Sequence, residues 1–148
     1  MPLYFAYGSN MDAAAMAGRC PKSRLLGRAR LARHRLVVMA SGFVSVARDP
    51  RASVHGLLWD LAVADVPALD RYEQLGQGLY AKVVLPVLRE PFGSATALVY
   101  IGCDSHKGAA WEGYLDEIVA AARAQGLPPA YTNYLSRLAL AHQRGVRP

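Results

Sequence analysis

Apolar and polar residues change their spacing along the chain, and those changes mark out the elements. Leu3 to Tyr7 is a short β-rich run that stops at Gly8-Ser9-Asn10. Met11 to Gly18 is rich in Ala and Met and predicts a short helix ending before Cys20-Pro21. Residues 25–40 interleave apolar and cationic positions and predict one long strand or two, closed by a turn at Ser41-Gly42. Phe43 to Ala47 reads as a strand, Asp49-Pro50 as a turn, and Val54 to Leu61 as a buried strand. A helix is expected from about Asp65, a good N-cap, to Gly76, which suits the position just past a helix end. Leu79–Leu88 and Ala95–Cys103 predict two strands joined around Pro91-Phe92-Gly93. Trp111 to Gln125 is amphipathic, with Ile118 and Ala122 on the face of Tyr114 and Leu115. A last helix runs from about Pro129 to His142.

Strands are grouped rather than alternating regularly with helices. That order favours an α+β fold, with a curved or closed mixed sheet flanked by helices, over a doubly wound sheet. The 148 residues contain no repeat, low-complexity tract or linker and fit one domain.

The formal net charge of +6 bears on steering and solubility, not on fold. Seven cations cluster between Arg19 and Arg35, but no aromatic residue is interleaved with them, so nucleic acid is not an expected partner. Cys20 and Cys103 are far apart and in no Cys-x-x-Cys pair, which points to free thiols in a reducing compartment, with Cys103 expected to be buried. No apolar stretch approaches a membrane span and the N-terminus has no cationic leader, so a cytoplasmic protein is expected. His34, His55, His106 and His142 share no ligand spacing, and no metal site is expected.

Two places carry candidate chemistry. At Tyr7-Gly8-Ser9-Asn10 a glycine permits close approach of a ligand, Ser9 or Asn10 can cap the following helix, and free N–H groups can receive an anion. The same four residues also suit a capped turn with no ligand. On the segment 66–74, helical spacing puts Glu73 between Val66 and Leu69, on the apolar face. A carboxylate turned inward has a raised pKa and suits proton transfer near neutral pH. Alternatively its head reaches solvent or bonds a buried tyrosine.

Together these segments resemble a known family. Tyr4-Phe5-Ala6-Tyr7-Gly8-Ser9-Asn10-Met11 resembles the start of the γ-glutamyl cyclotransferases and AIG2-like proteins. Gly56-Leu57-Leu58-Trp59, Leu69-Asp70-Arg71-Tyr72-Glu73 and Gly78-Leu79-Tyr80 resemble their central signature in the same order. Val99-Tyr100-Ile101 and Gly126-Leu127-Pro128-Pro129-Ala130-Tyr131 resemble later features. The resemblance implies a compact mixed β-barrel with helices around it and a cavity where the 7–10 turn meets the helix glutamate. It implies Glu73 as catalytic acid/base, with Tyr7, Gly8, Ser9, Asn10, Tyr80, Tyr100 and Tyr114 as substrate-binding residues. It implies no cofactor and a small-molecule substrate carrying a γ-glutamyl group. The Tyr-Gly-Ser-Asn loop resembles the branch named for γ-glutamyl amino acids more than the Tyr-Gly-Thr-Leu branch. The variable half of the substrate is expected to meet Tyr80, Tyr114 and the loops near Arg48 and His106. The rival reading is a non-catalytic binding module for a γ-glutamyl-like or other carboxylated ligand.

Overall fold

The computed structural model describes residues 2–104 and 108–143. Within them five strands close into a barrel: β1 (Leu3–Ala6), β2 (Arg24–Val38), β3 (Val44–Asp60), β4 (Tyr80–Arg89) and β5 (Ser94–Gly102). Their order around the barrel is β1-β3-β2-β4-β5. The ladders are antiparallel except at the closure, where Tyr4 of β1 lies parallel beside Leu98 of β5. Four helices flank the sheet: α1 (Ala13–Arg19), α2 (Val66–Tyr72), α3 (Tyr114–Ala124) and α4 (Pro129–Gln143). The expected mixed barrel with helices around it is the observed architecture.

Closure accounts for the composition of β1. A strand paired on both sides and covered on both faces reads as a continuous apolar run rather than an alternating one. Tyr4, Phe5 and Ala6 are accordingly all buried. Residues 57–59 of β3, paired with both β1 and β2, behave the same way. The predicted face of α3 is also the buried one: Leu115, Ile118, Val119 and Ala122 face the core. Full burial of a Leu or Ile contributes roughly 1.5–3 kcal/mol relative to exposure.

β2 is one strand, kept in register by bulges. Its buried positions are odd at Ala29 and Leu31 but even at Leu36 and Val38. The switch falls at Arg33, whose φ of 62° marks a bulge. Opposite it, the expected turn at Asp49-Pro50 does not end a strand. His34 pairs with Arg48 and Ala32 with Ser53, so residues 49–52 bulge out of a continuous β3. Asp49 Oδ1 accepts from Arg51 N at 3.0 Å within that bulge.

Helix caps and boundaries differ from expectation, at α1 and the end of α2 for local reasons and at Asp65 through a distant partner. A 3-10 turn, Ser9–Met11, precedes α1, and Asp12 rather than Ser9 or Asn10 caps the helix, accepting from Ala14 N at 3.0 Å and Ala15 N at 3.2 Å. Asp65 does precede α2, but its carboxylate does not cap it. It is buried and accepts from Lys22 N at 2.9 Å and Ser23 Oγ at 2.8 Å. α2 ends at Tyr72, well before Gly76, because Gln74 takes the left-handed conformation (φ 53°). Cys20 is buried as a free thiol. Cys103 is exposed, against expectation, because it falls just past the end of β5. None of the described helices is long and apolar enough to cross a membrane.

Candidate active site

β1 runs into the 7–10 turn at one end of the barrel, and the end of α2 comes to the same place. Between them lies a cavity of about 110 Å³ lined by Tyr7, Gly8, Ser9, Asn10, Glu73, Tyr80, Tyr100 and Tyr114. The eight residues singled out in the sequence thus share one cavity. Tyr4, Phe43, Val44, Tyr72, Gln74 and Leu79 complete the lining. Of the regions expected at the variable half of a ligand, Arg48 sits in β3 and is not in the lining, and His106 lies outside the described residues.

Gly8 has φ −122°, so the turn does not depend on the left-handed region. Space is what its missing side chain provides. A Cβ there would meet Val44 Cγ2 at 3.2 Å and Tyr114 Oη at 3.9 Å, filling the cavity wall. Met11 N bonds Gly8 O at 3.0 Å and Asp12 N bonds Ser9 O at 3.1 Å. Those bonds tighten the turn and leave the N–H groups of Ser9 and Asn10 without a backbone acceptor among the described residues. The side chains brace the turn instead: Ser9 Oγ shares a 2.5 Å hydrogen bond with Tyr72 Oη, and Asn10 Nδ2 donates to Tyr4 Oη at 3.0 Å.

The tyrosines form a fixed, neutral wall. Tyr7 Oη donates to the Tyr100 carbonyl and Tyr80 Oη to the Val44 carbonyl, each at 2.5 Å. Val44 N in turn donates to Tyr114 Oη at 3.3 Å. Burial pushes the hydroxyls of Tyr4, Tyr7, Tyr80, Tyr100 and Tyr114 above their ordinary range. These five therefore stay protonated at any working pH.

Glu73 is different. Its N–H still bonds Leu69 O at 2.9 Å, so its side chain keeps the inward direction of the helix although it stands at the C-cap. Burial pushes its carboxyl up from 4.5 to about 7, and the Arg19 guanidinium draws it partly back. No hydrogen-bond donor from the described residues reaches its carboxylate. The group lines the cavity. Asp70, one helical turn earlier, is by contrast fully engaged. It accepts from Tyr100 Oη and from Lys82 Nζ at 3.0 Å, which ties α2 to β4 and β5.

Burial of Glu73 predicts a pH-dependent stability. An acid whose folded pKa is raised supports the fold while protonated. That contribution is complete below 4.5 and is lost as pH rises through about 7. Gln at this position never ionises. The stability of Glu73→Gln relative to wild type is therefore expected to rise with pH across this window, by on the order of 3 kcal/mol. Urea melts at about pH 4.5 and about pH 8 measure the difference. Parallel curves for the two proteins would mean that the carboxylate is not desolvated in the fold.

Sequence reasoning missed Tyr4, Tyr72 and Arg19 as parts of this site. Tyr72 stands beside Glu73, and Tyr4 lies in the same motif as Tyr7. Arg19 was one of seven clustered cations, and only its position at the end of α1 separates it from the solvated strand arginines. Val44 and Phe43 carried no signal, since Val44 serves through its backbone.

The AIG2-like family pattern matches residues 53–135 of the chain. The chain is 25% identical over 146 residues to γ-glutamylcyclotransferase of Homo sapiens, an alignment covering 92% of this chain and 78% of that one. A solved γ-glutamyl cyclotransferase structure superposes with a TM-score of 0.85 at 23% identity, over 91% of this chain and 86% of that one. YkqA from Bacillus subtilis superposes with a TM-score of 0.82 at 21% identity, over 95% of this chain but 55% of that longer one. With a family pattern spanning more than half of its length and the barrel shared with these structures, the chain belongs to the AIG2-like family and has the γ-glutamyl cyclotransferase-like fold.

Proposed function

We propose that this protein is an enzyme of the γ-glutamyl cyclotransferase type, with Glu73 as its general acid/base. The observation that carries the reading is Glu73 itself: a carboxyl with a pKa of about 7, free of hydrogen bonds from the described residues, in a cavity walled largely by tyrosines and by a turn whose Ser9 and Asn10 N–H groups have no backbone acceptor among the described residues. The relatives named γ-glutamylcyclotransferase add the substrate class.

In the proposed reaction the α-amino nitrogen of a γ-glutamyl unit attacks its own γ-carbonyl carbon. Glu73 takes the proton that the ammonium group must lose. The N–H groups of Ser9 and Asn10 then stabilise the oxygen of the tetrahedral intermediate or anchor the α-carboxylate. Glu73 returns its proton to the leaving nitrogen as the C–N bond breaks, and the second proton of the ring nitrogen passes through the same carboxyl to the released amine, which departs as an ammonium ion. One carboxyl with a pKa near the working pH can serve in both directions. The products are 5-oxoproline and an amine or amino acid, and the chemistry requires neither a metal nor an organic cofactor. Ring closure is intramolecular, so holding the cyclising conformer can supply on the order of 7–11 kcal/mol of the barrier reduction. The rigid tyrosine wall suits that task.

Incubation of the pure protein with γ-glutamyl amino acids, γ-glutamyl amines and glutathione is expected to release 5-oxoproline from at least one of them, read by chromatography of the product. Ligand-induced protection against heat without any ring release would leave a binding module. No binding and no product would remove the γ-glutamyl class altogether.

A further inference from the structure

α1 ends in Arg19, a half-buried residue whose guanidinium makes no ion pair with a carboxylate among the described residues. Its guanidinium carbon instead lies 3.6 Å from the centre of the Tyr72 ring. One of its nitrogens, Nη1, donates to Asn10 Oδ1. Both partners belong to the cavity. Tyr72 is the residue before Glu73 and shares a hydrogen bond with Ser9. Asn10 is held on its other side by Tyr4. A single side chain therefore joins the last residue of α2 to the turn that faces it across the cavity mouth.

We propose that Arg19 is a positioning residue of this site: resting on Tyr72 and bonded to Asn10, it fixes the end of α2 in register with the 7–10 turn and holds a permanent positive charge beside Glu73. The inference rests on the reading of Glu73 as the acid/base. A flat, delocalised cation is the residue suited to this place, because it can stack on an aromatic face and donate in its own plane at once. The charge matters because no other described residue at the cavity supplies a positive one. Glu73 is faced by Tyr4 and Tyr7 from β1 and the turn, Tyr80 from β4, Tyr100 from β5, Tyr114 from α3 and Tyr72 beside it. All six are phenols. Asp70, on the same helix, is directed to Tyr100 and to Lys82, which neutralises it. Burial disfavours the ionised form that a base requires. Arg19 opposes that effect, and among the described residues it is the side chain that draws the carboxyl back down.

Arg19→Gln tests the charge while keeping a donor for Asn10 and a flat amide for Tyr72. The readout is the titration midpoint of the Glu73 carboxyl carbon in ¹³C-glutamate-labelled protein, its signal assigned by its loss in Glu73→Gln. The midpoint is expected to move up by about one pH unit, and the acid limb of kcat/KM to move with it. Arg19→Lys keeps the charge and loses the fork and the flat face. It is expected to leave the midpoint nearly in place while lowering kcat/KM about tenfold through lost registration. If Arg19→Gln does not fold, Tyr72→Leu removes the face on which the guanidinium rests without touching the buried core, and the midpoint is again expected to rise. A midpoint unmoved in the variant that folds, or one moved as far by Lys as by Gln, would overturn the inference. The titration needs no turnover. A protein that releases no 5-oxoproline but shifts as described loses the proposed reaction and keeps the Arg19–Glu73 linkage. A protein that turns over with an unmoved midpoint keeps the reaction and loses Arg19's role.

Discussion

Glu73→Gln is expected to lower kcat by at least about 10²-fold, the usual size of a general-base contribution, with kcat/KM falling in step. Gln keeps the size of the side chain and one hydrogen-bonding oxygen, so substrate still finds its place. It cannot take a proton from the α-ammonium group, and it has none to give to the leaving amine in exchange. The wild-type carboxylate has no hydrogen bond from the described residues to lose, so the substitution leaves no donor orphaned. Folding is therefore expected to survive, and above about pH 7 to improve, because the desolvated charge is gone. The loss of turnover and the gain of stability come from one cause and should appear in the same variant. Steady-state rates on a substrate identified from the panel check the first and urea melts the second. A Gln variant retaining more than about a tenth of wild-type kcat removes Glu73 from the role.

Gly56→Ala is expected to be the most damaging small substitution in the barrel. A Cβ on Gly56 would stand 2.2 Å from Ala6 O and 3.0 Å from Phe5 Cζ. The first of these is backbone and cannot swing aside. Ala6 pairs with Leu57 across the β1–β3 ladder, so relief requires the two strands to part. Overpacking of this kind costs about 3 kcal/mol, at the upper end of its usual range, or about 10 °C in Tm for a chain of this length. Activity is expected to fall further than stability, because Ala6 leads directly into Tyr7 and the turn. A displaced β1 shifts Ser9 and Asn10, which line the cavity. Calorimetry together with kcat/KM measured well below the new Tm tests both parts. A variant that melts within about 2 °C of wild type would mean that β1 and β3 are not in this contact. The constraint explains why a glycine opens the Gly56-Leu57-Leu58-Trp59 segment: the strands approach too closely there for any side chain.

Local pattern carried much of the secondary structure. The strand before the Gly8 turn, the two strands around Pro91–Gly93 and the amphipathic helix after Trp111 were legible because each is set by its own residues. The inward direction of Glu73 was legible for the same reason. Helical spacing relates it to Leu69, and its N–H to Leu69 O bond preserves that relation at the end of α2. Two of the misreadings fall where a distant partner prevails over a local preference. Asp65 is a good N-cap by type, yet its carboxylate is drawn to Lys22 and Ser23, which only the folded chain brings near. Asp49-Pro50 reads as a turn, yet β3 continues through it because β2 offers a ladder on both sides.

Sequence by itself determined which residues could do chemistry and which way their elements face, since side-chain direction in a helix or strand follows from position alone. It could not determine what those residues meet. The Tyr80 and Tyr114 hydroxyls converge on the backbone of Val44, whose side-chain type predicts no such role. The parallel meeting of β1 with β5 closes the barrel and sets Tyr4 edge-on to Tyr100, their ring centroids 5.8 Å apart. Arg19 was indistinguishable from the strand arginines until α1 carried it to Tyr72. The proton affinity of Glu73 is likewise a tertiary property. It follows from how much water the surrounding rings exclude and from how near one guanidinium stands, and both are fixed by chain segments far apart in sequence.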